Sequence, residues 1–308
     1  VRLITADGAQ EQPARVLAAP AGSAVSLAPA TSGPAAAAPN RAQSASDSAA
    51  VLFRPANPTR SVDTGVTVFY QLDQAASSVS MTFLDSGGHV IRTFTGLPTA
   101  AGTNSFVWNL QYPGPVTVPG ISSAGPKAPL GDYTVQLNVD TNPPLSQPFS
   151  ILKDPRLKNV SAHDILQQFQ FGEQVVARTS AADQAVLNIA SCDSQIDDRI
   201  ATADNQQITT AGHAAESNLN QVSGALNQTN QQEDKFPVRL NNKIANLRSV
   251  SESADGLPTV QTQQVFQELN AQLGTQLSSL SDLINTDVAH FNDLLQQQGL
   301  APVTCRAA

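Results

Sequence analysis

The chain has 308 residues, 14% of them charged and 5% aromatic, with a formal net charge of −8. That length accommodates two ordinary domains. An acidic balance without clustered Lys or Arg argues against a nucleic-acid surface, and no apolar run approaches the roughly 18 residues of a membrane span.

Residues 1–50 are rich in Ala, Pro, Ser and Gly. Such a composition buries too little apolar surface to offset chain entropy, so a low-complexity linker or extended segment is expected. Val1-Arg2-Leu3-Ile4 and Ala24-Val25-Ser26-Leu27 are short apolar pieces able to add strands to a neighbouring sheet. Val1 is not a Met and no leader precedes it, which fits a processed product or a piece of a longer chain.

From residue 51 to 153 the apolar period is two. Val66, Val68 and Tyr70 alternate with Thr67 and Phe69; Val79, Met81 and Phe83 alternate with Ser80 and Thr82. Asp85-Ser86-Gly87-Gly88 reads as a hairpin turn into His89–Phe94. Phe106, Trp108 and Leu110 share one face, as do Tyr133, Val135, Leu137 and Val139, and Phe149–Leu152 supplies a last strand. Short strands broken by frequent turn signals predict an immunoglobulin-like antiparallel β-sandwich. The Pro- and Gly-rich loop from Pro113 to Pro129 is expected to be extended and exposed.

After Asp154-Pro155 the period turns helical, and 154–308 is expected to form an antiparallel bundle, either four helices or an elongated hairpin with an extra pair. Ser161 and Asp164 mark the first start. A second helix covers about 206–228, and Asn230–Phe236 is a loop. Pro237 opens a third helix bearing Leu240, Ile244 and Leu247. The fourth opens at Pro258, carries a stripe from Phe266 to Leu295, and ends at Gly299. The fold class is therefore multidomain β + α.

Cys192 and Cys305 allow one disulfide or two separate thiols. Cys192 lies about 45 Å along the first helix at 1.5 Å per residue. Were the last helix antiparallel to the first, the short tail before Cys305, reaching about 20 Å, would fall far from it. Pairing therefore requires a bent or differently threaded bundle. Few Cys, low charge and much Ser, Thr, Gln and Asn suit an extracellular or periplasmic protein.

The hairpin Asp85-x-x-Gly88-x-Val90-Ile91-Arg92 and the strand Gly131-Asp132-Tyr133-Thr134-Val135 resemble the immunoglobulin-like domain of flagellar hook-capping proteins. A longer series comprises Phe106-x-Trp108-Asn109-Leu110-x-Tyr112-Pro113-Gly114-Pro115, then Pro129-x-Gly131-x-Tyr133 and Asp154-Pro155-Arg156. Phe236-Pro237-x-Arg239-Leu240-Asn241-x-Lys243 and Phe291-Asn292-x-Leu294-Leu295 near Gly299-Leu300 complete it. Over about residues 50–303 this order resembles the C-terminal region of bacterial sortilin-type β-propeller proteins with BNR (Asp-box) repeats, often labelled glycosyl hydrolases. The propeller would precede this region, and no Ser-x-Asp-x-Gly-x-x-Trp box occurs here, so the resemblance carries no catalytic residue onto this chain.

Candidate sites are few. Asp193 and Asp197 share a helix face, with Asp198 and Asp204 nearby; a cation could bridge them, but a solvated helix face is the favoured reading. Glycoside hydrolysis needs carboxyls opposed across a cleft, which neighbours on one helix do not supply. His89, His163, His213 and His290 are dispersed, and without HExxH or Cys-x-x-Cys no metal or cofactor is expected. Gly120-Ile121-Ser122-Ser123-Ala124-Gly125 lacks the spacing of a nucleophile elbow. Trp108 alternates in phase with Phe106 and Leu110 and belongs to the core, leaving Tyr112, at the loop edge, as the binding candidate. Open sheet edges can accept a partner strand.

The function expected is a non-catalytic extracytoplasmic structural or interaction module, engaging a protein partner or another copy of itself through the sandwich edges or the helical seam. The alternative is an accessory C-terminal part of a propeller-type glycosyl hydrolase whose catalytic domain lies elsewhere; a glycan partner has no support in these residues. A hook-cap-like assembly factor is a third reading, resting on the sandwich alone.

Overall fold

The computed structural model describes residues 10–11, 50–119, 123–227 and 238–307. The apolar pieces expected near Val1 and Ala24, the Asn230–Phe236 loop, Pro237 and Gly120–Ser122 lie outside the described residues. The chain forms two compact units. One comprises Val1–Ala56, Thr67–Val107 and Asp132–Phe149; the other comprises Asn57–Val66, Trp108–Gly131 and Ser150–Ala308. The division is thus not linear: two segments of the β-rich half belong with the helices.

The strands are β1 (Gln10–Glu11), β2 (Ala50–Leu52), β3 (Val66–Leu72), β4 (Val79–Leu84), β5 (Val90–Thr95), β6 (Gly102–Trp108), β7 (Gly131–Val139) and β8 (Leu145–Ile151). Two antiparallel sheets result, one in the order β1-β5-β4-β7-β8 and one in the order β2-β3-β6. The alternation predicted from sequence sets their faces. Val66, Val68, Tyr70 and Leu72 are buried while Thr67, Phe69 and Gln71 are exposed, and Tyr133, Val135, Leu137 and Val139 are buried on β7. Aromatic packing adds to simple burial: Phe83 meets Phe94 and Phe149 edge-on, with ring centroids 6.0 and 6.3 Å apart. Tyr70 donates its hydroxyl to the Pro98 carbonyl at 2.7 Å, and burial pushes its pKa up to about 12. The β4–β5 turn closes on Asp85, whose Oδ1 accepts from the amides of Gly87 and His89. Gly88 takes the left-handed conformation (φ 80°) that this turn requires.

The helices are α1 (Ala162–Thr202), α2 (Gln206–Leu226), α3 (Leu240–Ser251), α4 (Val260–Leu283) and α5 (Ala289–Gln297), with one π-helical turn, Ile284–Val288, joining α4 to α5. Ser161 and Asp164 form a reciprocal capping box at the start of α1. The last long helix is therefore a single rod with a π turn where the apolar stripe predicts uninterrupted α-helix.

These helices make three staves. Down α1, Gly212 of α2 lies against Ile200, Asn220 against Asp193, Asn241 of α3 against Asp183, and Ser251 against Gln168. Hence α2 and α3 run antiparallel to α1 in series, sharing the length of its 41 residues. The α4–α5 rod runs back beside them, with Phe266 against Phe171 and Phe291 beside Gly212. It runs parallel to α1, so its end reaches the end of α1.

That threading brings the tail to Cys192. Arg199 donates to the Ala301 carbonyl at 2.7 Å, and the Thr304 amide donates to Gln195 Oε1 at 2.9 Å. Cys192 and Cys305 are joined by a disulfide, their Cα atoms 5.1 Å apart. Asn292 clasps Val303 by accepting from its amide and donating to its carbonyl.

The loop expected to be exposed is instead half-buried in the helical unit. Its two arms pair, the Tyr112 amide donating to Pro126 and the Ala128 amide to Leu110. Gly125 is required there, because a Cβ would sit 2.1 Å from the Tyr112 carbonyl oxygen. Val118 enters the helical core, and the Val116 amide donates to Ser180 Oγ on α1. Gly172, a costly residue inside a helix, leaves the room that Pro126 fills: a Cβ there would lie 2.7 Å from the Pro126 Cβ.

Candidate functional site

Three features of the described residues deserve weighing: a carboxyl cluster, a groove and an exposed sheet face. The cluster lies between α1 and α2. Asp193 Oδ2 accepts from Asn220 Nδ2 at 3.0 Å, while its buried Oδ1 has no hydrogen-bond partner. Burial pushes Asp193 up to about 6, the Asn220 bond opposing and the charges of Glu216 and Asp197 adding to it. Glu216 is likewise raised, first by burial, then by Asp197, against the opposing bond from His213, which stands 3.1 Å from Glu216 Oε2. The sequence placed Asp193 and Asp197 on one face; Glu216 joins them only because α2 packs antiparallel on α1. Asp198 and Asp204 are both exposed, outside this contact. Burial thus makes Asp193 and Glu216 harder to ionise than exposed carboxyls. They do not face each other across a cleft, and among the described residues no group of His, Cys, Asp or Glu is arranged to hold a metal ion.

The groove, about 710 Å³, opens between α2 and the π turn. Ala211, Ala214 and Ala215 floor it, with Thr210, Asp287 and His290 at its margin. Asp287 is engaged, accepting from Asn218 Nδ2 at 2.7 Å. A π turn re-aims the side chains that follow it, and the volume suits a small molecule, but only His290 offers an exposed ionisable group. Of the other histidines, His89 pairs with Asp85 at the β4–β5 turn and His163 meets Gln167. The structure brings none of the four together.

Tyr112 is half-buried, its ring meeting Phe169 edge-on at 4.6 Å. It fastens the Pro-rich loop to α1, and the sequence reading of Tyr112 as a binding platform did not foresee that contact. Trp108 is fully buried and donates its indole N–H to the Gln111 carbonyl at 3.0 Å.

A buried hub of polar contacts went unremarked in the sequence. Arg60 is fully buried. Its Nε donates to the Ala128 carbonyl at 2.9 Å, its Nη2 to Gln168 Oε1 at 3.1 Å, and its Nη1 pairs with Asp255. Gln168 in turn donates to the carbonyls of Ser251 and Ala254. One guanidinium thereby ties the 57–66 segment, the Pro-rich loop, α1 and the α3–α4 turn. No local pattern announces this, since Asp255 lies 195 residues away.

In the sandwich unit the outer face of β2-β3-β6 exposes Val51, Phe53, Phe69 and Val107, whereas its inner face is closed. No described helix is long and apolar enough to cross a membrane.

Residues 57–142 match the FlgD Ig-like domain family. No curated protein matches the chain. Among solved structures, CopC from Methylosinus trichosporium OB3b aligns at 12% identity over 36% of this chain and 99% of that one, with a TM-score of 0.23, a likeness too low to carry an argument. The chain therefore carries an immunoglobulin-like domain within a mixed β and α architecture, its family match confined to residues 57–142.

Proposed function

We propose that the chain is a non-catalytic extracytoplasmic structural or interaction module that engages a protein partner or further copies of itself. The match of residues 57–142 to the FlgD Ig-like domain carries this reading, because that kind of domain presents faces and edges for contact. The Cys192–Cys305 bond supports an oxidising compartment, where disulfides persist. Motif residues behind the propeller resemblance serve the fold: Trp108 is core, Arg156 grips Asp154 through both carboxylate oxygens, and Asn292 clasps the tail. That supports an architectural role for this region even in a longer propeller protein, the second reading.

The test is size-exclusion chromatography with light scattering and intact mass on protein from its native source, with hydrolysis of a glycan panel alongside. Assembly or a retained protein partner, without hydrolysis, is the expected result. A bare monomer, or turnover by this chain alone, overturns the proposal.

A further inference from the structure

The segment after α5 is held as a strand would be, though it belongs to no sheet. Along α1, Arg199 donates to the Ala301 carbonyl at 2.7 Å. Gln195 accepts from the Thr304 amide at 2.9 Å and donates to the Thr304 carbonyl at 3.1 Å. Cys192 holds Cys305, and Asn188 donates to the Ala307 carbonyl at 3.2 Å. Those four α1 positions, 188, 192, 195 and 199, form one stripe of the helix, at steps of four, three and four. From α5, Asn292 makes the same two-point contact with Val303, at 2.8 and 3.0 Å. Residues 301–307 therefore form a strap running antiparallel to α1, about 20 Å of extended chain beside about 16 Å of helix.

Burial alternates along the strap. Val303 is 4% exposed and Cys305 half-buried, while Pro302, Thr304 and Arg306 are exposed. Val303 joins the helical core and Cys305 packs on it. A carboxamide offers a donor and an acceptor side by side, as a neighbouring strand's backbone does, so Gln195 and Asn292 stand in for a sheet edge. Such contacts address main-chain atoms and accept many sequences; only the Val303 position is read by its side chain. The seat is thus built for an extended peptide, with the strap as its resident. Against the entropy of ordering an extended chain, the strap sets bonds from single side chains and one buried valine. The disulfide decides that balance.

We propose that this seat between α1 and α5 is a peptide-docking site kept closed by its own strap, and that reduction of Cys192–Cys305 opens it. The partner is an extended segment of another protein, carrying a branched apolar residue for the Val303 position. The proposal rests on the interaction role given above and adds where contact is made and what controls it. A dithiol reductant supplies the electrons. Its thiolate attacks the sulfur of half-buried Cys305 rather than that of Cys192, which is 1% exposed. The disulfide bond breaks, and Cys192 leaves as a thiolate and takes a proton. The reductant's second thiol then displaces Cys305 from the mixed disulfide, leaving two protein thiols and a reductant oxidised to its own disulfide. Gly299, already left-handed (φ 70°) where the chain turns back after α5, serves as the hinge.

Hydrogen exchange and fluorescence anisotropy test this on the full chain, oxidised and in dithiothreitol. The probes are a labelled peptide of residues 300–307 with Cys305→Ser, and a second that also carries Val303→Asp. On reduction the Val303 and Thr304 amides lose at least tenfold protection while the helical circular dichroism is unchanged. The first peptide binds the reduced chain at least tenfold more tightly than the oxidised chain, and the Val303→Asp peptide binds neither. Because the resident strap competes with the probe, the full chain with Cys305→Ser and Val303→Asp is measured too. Its strap cannot seat, so it binds the first peptide most tightly, and adding Asn292→Ala weakens that binding at least tenfold. Retained protection of the two amides, or loss of the helices, on reduction overturns the release. Equal binding to oxidised and reduced chains, or none to the open variant, overturns the docking site and leaves the interaction role to the assembly test above.

Discussion

The two units keep themselves folded by different means. Among the described residues, the buried polar and charged side chains comprise Thr82 alone in the sandwich unit, whereas Arg60, Asp154, Gln168, Thr179, Asp183, Asn241 and Thr262 lie in the helical unit. The sandwich has strands whose period of two sorts apolar from polar, and its interior needs little further instruction. The helices are rich in Ala, Gln and Asn, poor in aromatics, and divide one stave between two segments. Apolar stripes of that kind slide past one another at small cost, and polar contacts with single partners fix where each segment stops. Asn241 illustrates this: its amide donates to Asp183 at 2.9 Å and to Asn227, the last residue of the α2 cap, at 3.0 Å.

The strongest way to break the contrast is Arg60→Ala, which strands Asp255 in the interior and should cost about 3–5 kcal/mol in chemical denaturation followed by circular dichroism. A loss under 1 kcal/mol, on the order of an exposed pair, would mean the polar nodes are incidental. Reduction, or Cys192→Ser with Cys305→Ser, should remove about 2–5 kcal/mol, read as a lower denaturation midpoint under reducing conditions. Gly172→Leu should cost roughly 1–3 kcal/mol by driving a side chain into Pro126, with faster proteolysis in the 113–129 loop as the specific readout.

The smallest effect concerns Asp193. Its folded-state pKa, about 6, stands above the usual carboxylate value, so the folded chain binds the extra proton. Its contribution is therefore most favourable below about pH 4 and is lost as pH rises through about 6. Asp193→Asn should raise stability at neutral pH by about 1 kcal/mol, a figure reduced for its partial exposure. It should also flatten the thermal midpoint between about pH 4 and 6. An unchanged pH profile would show that the α1–α2 carboxyls are solvated.

The sandwich faces were legible because strand alternation is local: Val66, Val68 and Tyr70 identify their own interior side. The helices were legible for the same reason, through Ser161, Asp164 and the stripe from Phe266 to Leu295. What could not be read was complementarity at long range. Gly172 looks like a weak point in α1 until Pro126 is beside it, and the composition of Pro113–Pro129 suggests solvent because nothing nearby says which helix it will meet. Serial stacking of α2 and α3 leaves no mark on either helix's own period. The same ignorance produced the objection to a Cys192–Cys305 bond, which held for a last helix antiparallel to α1 and disappears once three staves return it parallel.

That bond makes a covalent ring of the chain between positions 113 residues apart. A protease that cuts any single peptide bond inside the ring releases nothing. The fragments stay fastened at Cys192, with Asn292 and Val303 still holding the tail, and the nicked molecule migrates as one species until a reductant is added. Two cuts are needed to lose a piece, so damage to this half of the protein goes unnoticed under oxidising conditions and appears all at once on reduction.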